Sequence, residues 1–259
     1  MACFLLAKGS SLSALPMTAD PALYFTRHGL SLVGLRRADT GFSNEVWLTD
    51  DAVLRLSPRT DHAREAGVAL GALAAGVHTA RPLFWGTDYN LWERLPGGMP
   101  TPAQLTPHFW NAVLDDLERL HAAPPEAYSP RPSELWVGDP GLAEGTDWTP
   151  AELAALLRVL STPYPLTAPV FVHGDVYRHN LLADARGQYA GLLDWGNAGW
   201  ATLEHECAVL DELEPALARW SGRIDLGLLW RLRLELLLKV AGAGRIPPSA
   251  VREALAHCG

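Results

Sequence analysis

Lysine is nearly missing from this sequence: across 259 residues it occurs only at Lys8 and Lys239. Any fixed cation between those two positions is therefore an arginine. Cysteine is scarce as well; Cys3, Cys207 and Cys258 are an odd number, far apart, with no paired metal spacing. That pattern excludes a disulfide framework and leads us to expect reduced thiols in a cytoplasmic protein. Positive charge does not dominate, since 21 basic against 29 acidic side chains leave a formal charge of -8, which argues against nucleic acid or an anionic membrane as partner. Long apolar runs are also lacking. The stretch 226–241 carries Arg231, Arg233, Glu235 and Lys239, so it falls short of the roughly 20 apolar residues of a membrane span and reads as an amphipathic core helix. The opening run Ala2 to Ala7 is interrupted by Lys8 and preceded by no basic segment, so a signal peptide is not expected. No G-x-S-x-G occurs, which removes the common serine-hydrolase elbow.

What is present is enough apolar residue, 48% of the chain, for one large domain or two small lobes sharing a cleft. The first part reads as strands and turns around one helix: a strand at 32–39, a turn in the TGFSN run 40–44, and alternating strands at 45–49 and 52–56 about Asp50 and Asp51. Helical spacing follows from Asp61, a candidate cap, to Ala75, where Gly76 stops it. Strands are expected again at 82–85 and 90–95. The PGGMPTP run at 96–102 breaks the periodicity, so a boundary is placed there, with lobes 1–95 and 96–259. Beyond it we expect helices at 105–122 and 150–160, an insertion at 130–147, a short hairpin within 170–195, and helices starting at Leu203, Leu226 and Pro248.

The segment VFVHGDVYRHNLLADARGQYAGLLDWG, 170–196, carries the chemistry. It puts Asp175 and Asn180 on a loop after an apolar strand and Asp194 at the end of the next one. Turn residues at 184–187 fold that strand back, so three hard oxygen ligands can meet at one end of a hairpin, a set suited to magnesium. Singly, each residue has an ordinary use as a turn former or helix cap; the joint spacing of His173, Asp175, Asn180 and Asp194 is what points to a site.

HGDVYRHN resembles the catalytic loop H-x-D-x-x-x-x-N of the aminoglycoside phosphotransferase and choline kinase-like kinases, and LLDWG resembles their metal-binding segment. The resemblance runs from about Leu32 to about Leu213. It implies an α+β, two-lobed protein kinase-like fold with a small antiparallel-sheet N-lobe and a mostly helical C-lobe. It also implies a small-molecule kinase that transfers the γ-phosphoryl group of ATP, with Mg2+, to a hydroxyl acceptor; GTP is not separated from ATP by these residues. By the same resemblance Asp175 matches the catalytic base, Asn180 and Asp194 the metal ligands, and His173 a brace of the loop. Glu206 stands where the family usually has a supporting aspartate. In the front part, TGFSNEVW resembles the nucleotide loop, with Ser43 as its hydroxyl; Arg55 stands in the slot that commonly holds lysine, and Glu65 matches its partner. Glu93 and Leu95 fall in the hinge that reads adenine through the backbone. His121, in the L-H pair, is expected to be a packing residue.

A protein-kinase identity does not follow, because Asp194 is followed by Trp195 and Gly196 in place of F-G and no A-P-E occurs. Two other readings compete. One is a catalytically inactive kinase-like protein that only binds nucleotide or ligand, which the presence of Asp175, Asn180 and Asp194 opposes. The other is a two-metal phosphoesterase built on His173, Asp175, His179 and Asp194. For the acceptor pocket the candidates are Trp200, Glu204, Asp211 and Glu212, with Trp136, Trp148 and Trp200 as possible stacking surfaces. Each also has an ordinary use in packing or at the surface. The oligomeric state is left open.

Overall fold

A computed structural model describes residues 20–38, 45–58, 60–123, 148–162, 169–242 and 248–258. The chain enters on a helix, α1 (Pro21–Arg27), where the reading above has none. Its signal is local: the Asp20 side chain accepts from the Ala22 amide, and proline fills the first turn, where its missing N–H costs nothing. The strand expected over 32–39 shrinks to β1 (Arg36–Arg37) because Val33 and Gly34 turn the chain, Gly34 at a φ of 74°. β2 (Glu45–Leu48) and β3 (Ala52–Leu56) form the hairpin about Asp50 and Asp51, with Leu48 opposite Val53. α2 (His62–Ala74) starts at Asp61, whose carboxylate accepts from the Arg64 amide. β4 (Pro82–Trp85) and β5 (Tyr89–Glu93) complete one antiparallel sheet in the order β1-β2-β3-β5-β4. Along β3 the side chains alternate. Ala52, Leu54 and Leu56 are buried with Tyr24 and Phe25 of α1, so Arg55 projects to the opposite face.

The second part is mostly helical. α3 (Pro107–Ala122) is capped by the Thr106 hydroxyl and buries Val113, Leu114, Leu117 and Leu120 completely, each contributing about 1.5–3 kcal/mol. α4 (Pro150–Ser161) opens with a reciprocal cap between Thr149 and Glu152. Four short strands follow: β6 (Val170–Val172), β7 (Leu181–Ala183), β8 (Tyr189–Leu192) and β9 (Gly199–Ala201). Then come α5 (Leu203–Ala208), α6 (Glu214–Arg219), α7 (Leu226–Gly242) and α8 (Pro248–Ala256). The single hairpin expected within 170–195 is two nested pairings: β7 with β8 across the turn at 184–187, and β6 with β9 outside them. Turn residues specify only the inner pair. The outer one is a long-range contact that local signals do not encode. The expected insertion at 130–147, with Trp136, lies outside the described residues.

The architecture is a two-lobed α+β kinase-like fold, yet its apolar interior does not divide at residue 95. One cluster joins Val68, Ala69 and Ala72 of α2 to α3, β7, Trp195 and Trp220; a second unites α4, α7 and α8; a third lies between α1 and the sheet. An isolated bridge between Thr79 and Leu192 links the two parts again, and another joins Gly98, in the 96–102 segment, to Ala183. Among the described residues no helix is long and apolar enough to cross a membrane.

Candidate active site

The loop 173–180 leaves β6 through Gly174, at a φ of 74°; a Cβ there would lie 2.9 Å from the Asn197 carbonyl oxygen, so only glycine fits without displacement. His173 is fully buried. Its Nε2 lies 3.0 Å from the Leu193 carbonyl and its Nδ1 3.3 Å from the Asp175 amide. A carbonyl must receive a proton and an amide must give one, so the ring is the neutral tautomer protonated on Nε2. Burial lowers its pKa, in agreement. Both ring nitrogens are thereby used within the protein, which removes His173 from any metal-ligand set. Glu206, from α5, closes the loop from behind: Oε2 accepts from the His173 amide at 2.7 Å and Oε1 from the Gly174 amide at 3.0 Å. His121 Nε2 stands 3.3 Å from the same carboxylate, so this residue, expected to be packing alone, is also polar support.

Asp175 and Asn180 face each other. Asn180 Nδ2 donates to the Asp175 carbonyl at 2.8 Å and to its Oδ2 at 3.0 Å, which turns the Asn180 amide oxygen the other way. Burial raises the Asp175 pKa above the ordinary aspartate value, a direction that suits a group meant to accept a proton. Asp194 follows β8, where the Leu193 amide donates to the Asn180 carbonyl at 2.8 Å. It is the one non-glycine residue with positive φ among the described residues, at 64°. Aspartate tolerates this region better than bulky residues do.

Arg55 joins the two halves of the site. Its Nη1 lies 2.6 Å from Glu65 Oε1 and 3.1 Å from Asp194 Oδ1. Glu65 is buried; Asn90 Nδ2 donates to its Oε2 at 3.1 Å, and the Trp195 amide also reaches it. Burial pushes its carboxyl up to about 7, while Arg55 pulls the other way. Asn90 and Arg64 were not foreseen. Arg64 donates to the Gly196 carbonyl at 3.1 Å and to the Ala198 carbonyl, tying α2 to the segment after Asp194. Asn90, opposite Arg55 in the sheet register, was recoverable from strand pairing; Arg64 was not, since its partners are backbone atoms far along the chain.

The other candidates are dispersed. Ser43 and the rest of 39–44 lie outside the described residues. Glu93 ends β5 with its amide on the Arg81 carbonyl, and Leu95 packs on the main core. Among the acceptor candidates, Glu204 is buried and its Oε1 accepts from the Asp225 amide at 2.8 Å, while Asp211 Oδ2 accepts from the Arg178 amide at 2.6 Å. Glu212 is exposed, and Trp200 is half-buried with its ring edge-on to Phe171. Trp148 packs on the α4, α7 and α8 cluster, with the Arg252 guanidinium over its ring.

Asp194 and Asn180 thus offer carboxylate and amide oxygens, the hard donors magnesium takes. Among the described residues no group of three or more His, Cys, Asp and Glu side chains is placed to hold a metal ion, as the phosphoesterase reading requires. The sequence matches the phosphotransferase enzyme family over residues 34–233. No curated protein matches it. Solved structures do. A macrolide 2′-phosphotransferase from Brachybacterium faecium is similar at 22% identity, covering 91% of this chain and 96% of that one, with a TM-score of 0.58. A choline/ethanolamine kinase family protein from Mesorhizobium loti is similar at 16% identity, covering 93% and 90%, with a TM-score of 0.58. A thermostable mutant of aminoglycoside phosphotransferase APH(4)-Ia, in ternary complex with ADP and hygromycin B, is similar at 15% identity, covering 92% and 95%, with a TM-score of 0.63.

Proposed function

The chain belongs to the phosphotransferase enzyme family, and we propose that it moves the γ-phosphoryl group of ATP to a hydroxyl of a small polar molecule. The observation that carries this reading is the meeting at Arg55, 2.6 Å from Glu65 and 3.1 Å from Asp194. A strand cation, a helix carboxylate and the carboxylate that follows β8, brought together from both lobes, suit the grip of one anionic ligand.

In this mechanism Asp175 accepts the proton of the acceptor hydroxyl as its oxygen forms a bond to the γ-phosphorus. The bond from that phosphorus to the β–γ bridging oxygen breaks, and ADP leaves with the electron pair. Arg55, held by Glu65, offsets charge on the α- and β-phosphates. Glu206 fixes the loop through the His173 and Gly174 amides, so Asp175 meets the hydroxyl in one geometry. Asp194 and Asn180 would hold magnesium, which when bound offsets charge on the phosphate oxygens. Residues 1–95 serve as the nucleotide-binding lobe, in which the Ser43 hydroxyl binds phosphate and the backbone of Glu93 and Leu95 reads adenine, and 96–259 as the catalytic and acceptor lobe.

Relatives are named for macrolides, aminoglycosides and choline or ethanolamine, so the fold accepts very different alcohols. A small polar metabolite is our preferred acceptor, with an aminoglycoside as one candidate. The test is ADP release with magnesium ATP, and in parallel GDP release with GTP, over a panel of aminoglycosides, macrolides, choline, homoserine and sugars. Turnover of at least one alcohol, lost in Asp175→Asn, supports the reading. Turnover that survives this substitution removes Asp175 as the base, and micromolar-KM turnover of a kanamycin-like drug replaces the metabolite with an antibiotic.

A further inference from the structure

Helix α3 buries one charged side chain among its leucines. Asp116 is fully buried, at a position where helical spacing alone calls for an apolar residue. Moving a carboxylate into a dry interior is costly unless donors surround it. Here they do. The His78 amide donates to Oδ2 at 2.9 Å and the Tyr189 hydroxyl to the same oxygen at 2.9 Å; His78 Nδ1 lies 3.0 Å from Oδ1, and Arg119, one turn along, donates to Oδ1. Asp115 and Glu118 on the same helix bond Arg219 at the surface, so Asp116 is not an incidental member of an acidic run.

Its donors come from separate elements. His78 lies in the connection between α2 and β4, and Tyr189 opens β8. The end of β8 is bonded to that same connection: the Leu192 amide donates to the His78 carbonyl at 2.8 Å, the Thr79 hydroxyl to the Leu192 carbonyl at 2.6 Å, and the Trp195 indole to the Thr79 hydroxyl at 2.9 Å. Asp194 follows Leu192 by two positions, and α2 carries Glu65. Both ends of the Arg55 bridge are therefore located relative to one buried carboxylate.

We propose that Asp116 is a positioning residue: it locks the α2–β4 connection onto α3 and β8, and so sets the separation between the Arg55–Glu65 pair and Asp194. The proposal rests on the phosphotransfer reading for its effect on rate, but not for its effect on structure. Asp116→Asn keeps the shape while turning an amide NH2 toward groups that already donate. Hydrogen–deuterium exchange should then quicken at 77–80 and 191–196 and stay unchanged in α4. With an accepted alcohol, kcat should fall about 10- to 100-fold while the acceptor KM stays within about twofold. In an Arg55→Ala background the same substitution should cost less than about threefold, because the pair it positions is gone. Equal losses in both backgrounds, or faster exchange confined to α3, overturn the proposal. Tyr189→Phe removes one donor and adds no mismatch; should Asp116→Asn fail to fold, unchanged exchange at 77–80 in Tyr189→Phe overturns it as well. Absence of wild-type turnover counts against the phosphotransfer reading, and exchange alone then decides the positioning claim.

Discussion

Carboxylates work differently on the two sides of the cleft. On the side proposed to bind nucleotide, Glu65 and Asp194 share the guanidinium of Arg55, and the Asp194 bond is one that an incoming phosphate can replace while Glu65 keeps Arg55 in place. On the far side, Glu206, Asp211 and Glu204 accept backbone amides, those of His173 and Gly174, of Arg178 and of Asp225. A ligand cannot take over these bonds without unmaking the loops they hold. The Arg55–Asp194 bond is therefore open to exchange, whereas the bonds to backbone amides are not. Acidic residues near an acceptor pocket are thus weak guides to what that pocket binds.

The sharpest break in this comparison is Asp175→Asn, which alters the proposed proton acceptor and keeps the fixed loop. It should lower kcat about 100- to 10,000-fold with magnesium-nucleotide affinity retained, as rapid-quench and calorimetric titration would show. Next comes Glu206→Ala, which strips the His173 and Gly174 amides of their acceptor and should cost about 3–5 kcal/mol in denaturant unfolding. Burial alone would raise the Glu206 pKa, but the hydrogen bond from His121 and that from the Gly174 amide outweigh it and hold the carboxyl below its ordinary value of 4.5. Its folded pKa is depressed, so its stabilisation is complete above that value and is lost as pH falls through the folded pKa. Glu206→Gln should flatten that acid limb of the stability curve.

A smaller effect is expected on the exchangeable side. Arg55→Ala and Glu65→Ala should each raise the nucleotide KM about 10- to 100-fold, the worth of a charged hydrogen bond, and the double mutant should be less than additive. The pH sign is opposite to that of Glu206. Burial raises the Glu65 carboxyl to about 7 from 4.5, so its contribution to stability is complete below 4.5 and lost as pH rises toward 7. Arg55→Ala should steepen that loss. The smallest change belongs to Glu204→Gln, which retains an oxygen for the Asp225 amide and should shift stability by less than about 1 kcal/mol; Glu212→Gln should do nothing measurable. Either substitution altering the acceptor KM would move that residue to the acceptor wall.

The sequence was legible where geometry is local. Asp61 and Gly76 bracket α2, and Asp50 and Asp51 turn the hairpin. The spacing of His173, Asp175, Asn180 and Asp194 identified a segment whose nearest partners lie within it. Asp20 and Pro21 are an equally local signal for α1. What stayed hidden depends on distant elements: the β6–β9 pairing, Arg64 reaching the Gly196 and Ala198 carbonyls, and Asp116. A lone carboxylate in an apolar stripe looks like a surface residue until its donors arrive from elsewhere.

The apolar cluster that runs from Val68, Ala69 and Ala72 into α3 and Trp220 bears on how the protein could be taken apart. Each half, synthesised separately on either side of the 96–102 segment, would present a raw hydrophobic face shaped for the other. Such halves should aggregate alone and recombine when co-expressed, which makes this stretch a natural place to split the chain for a fragment-complementation reporter.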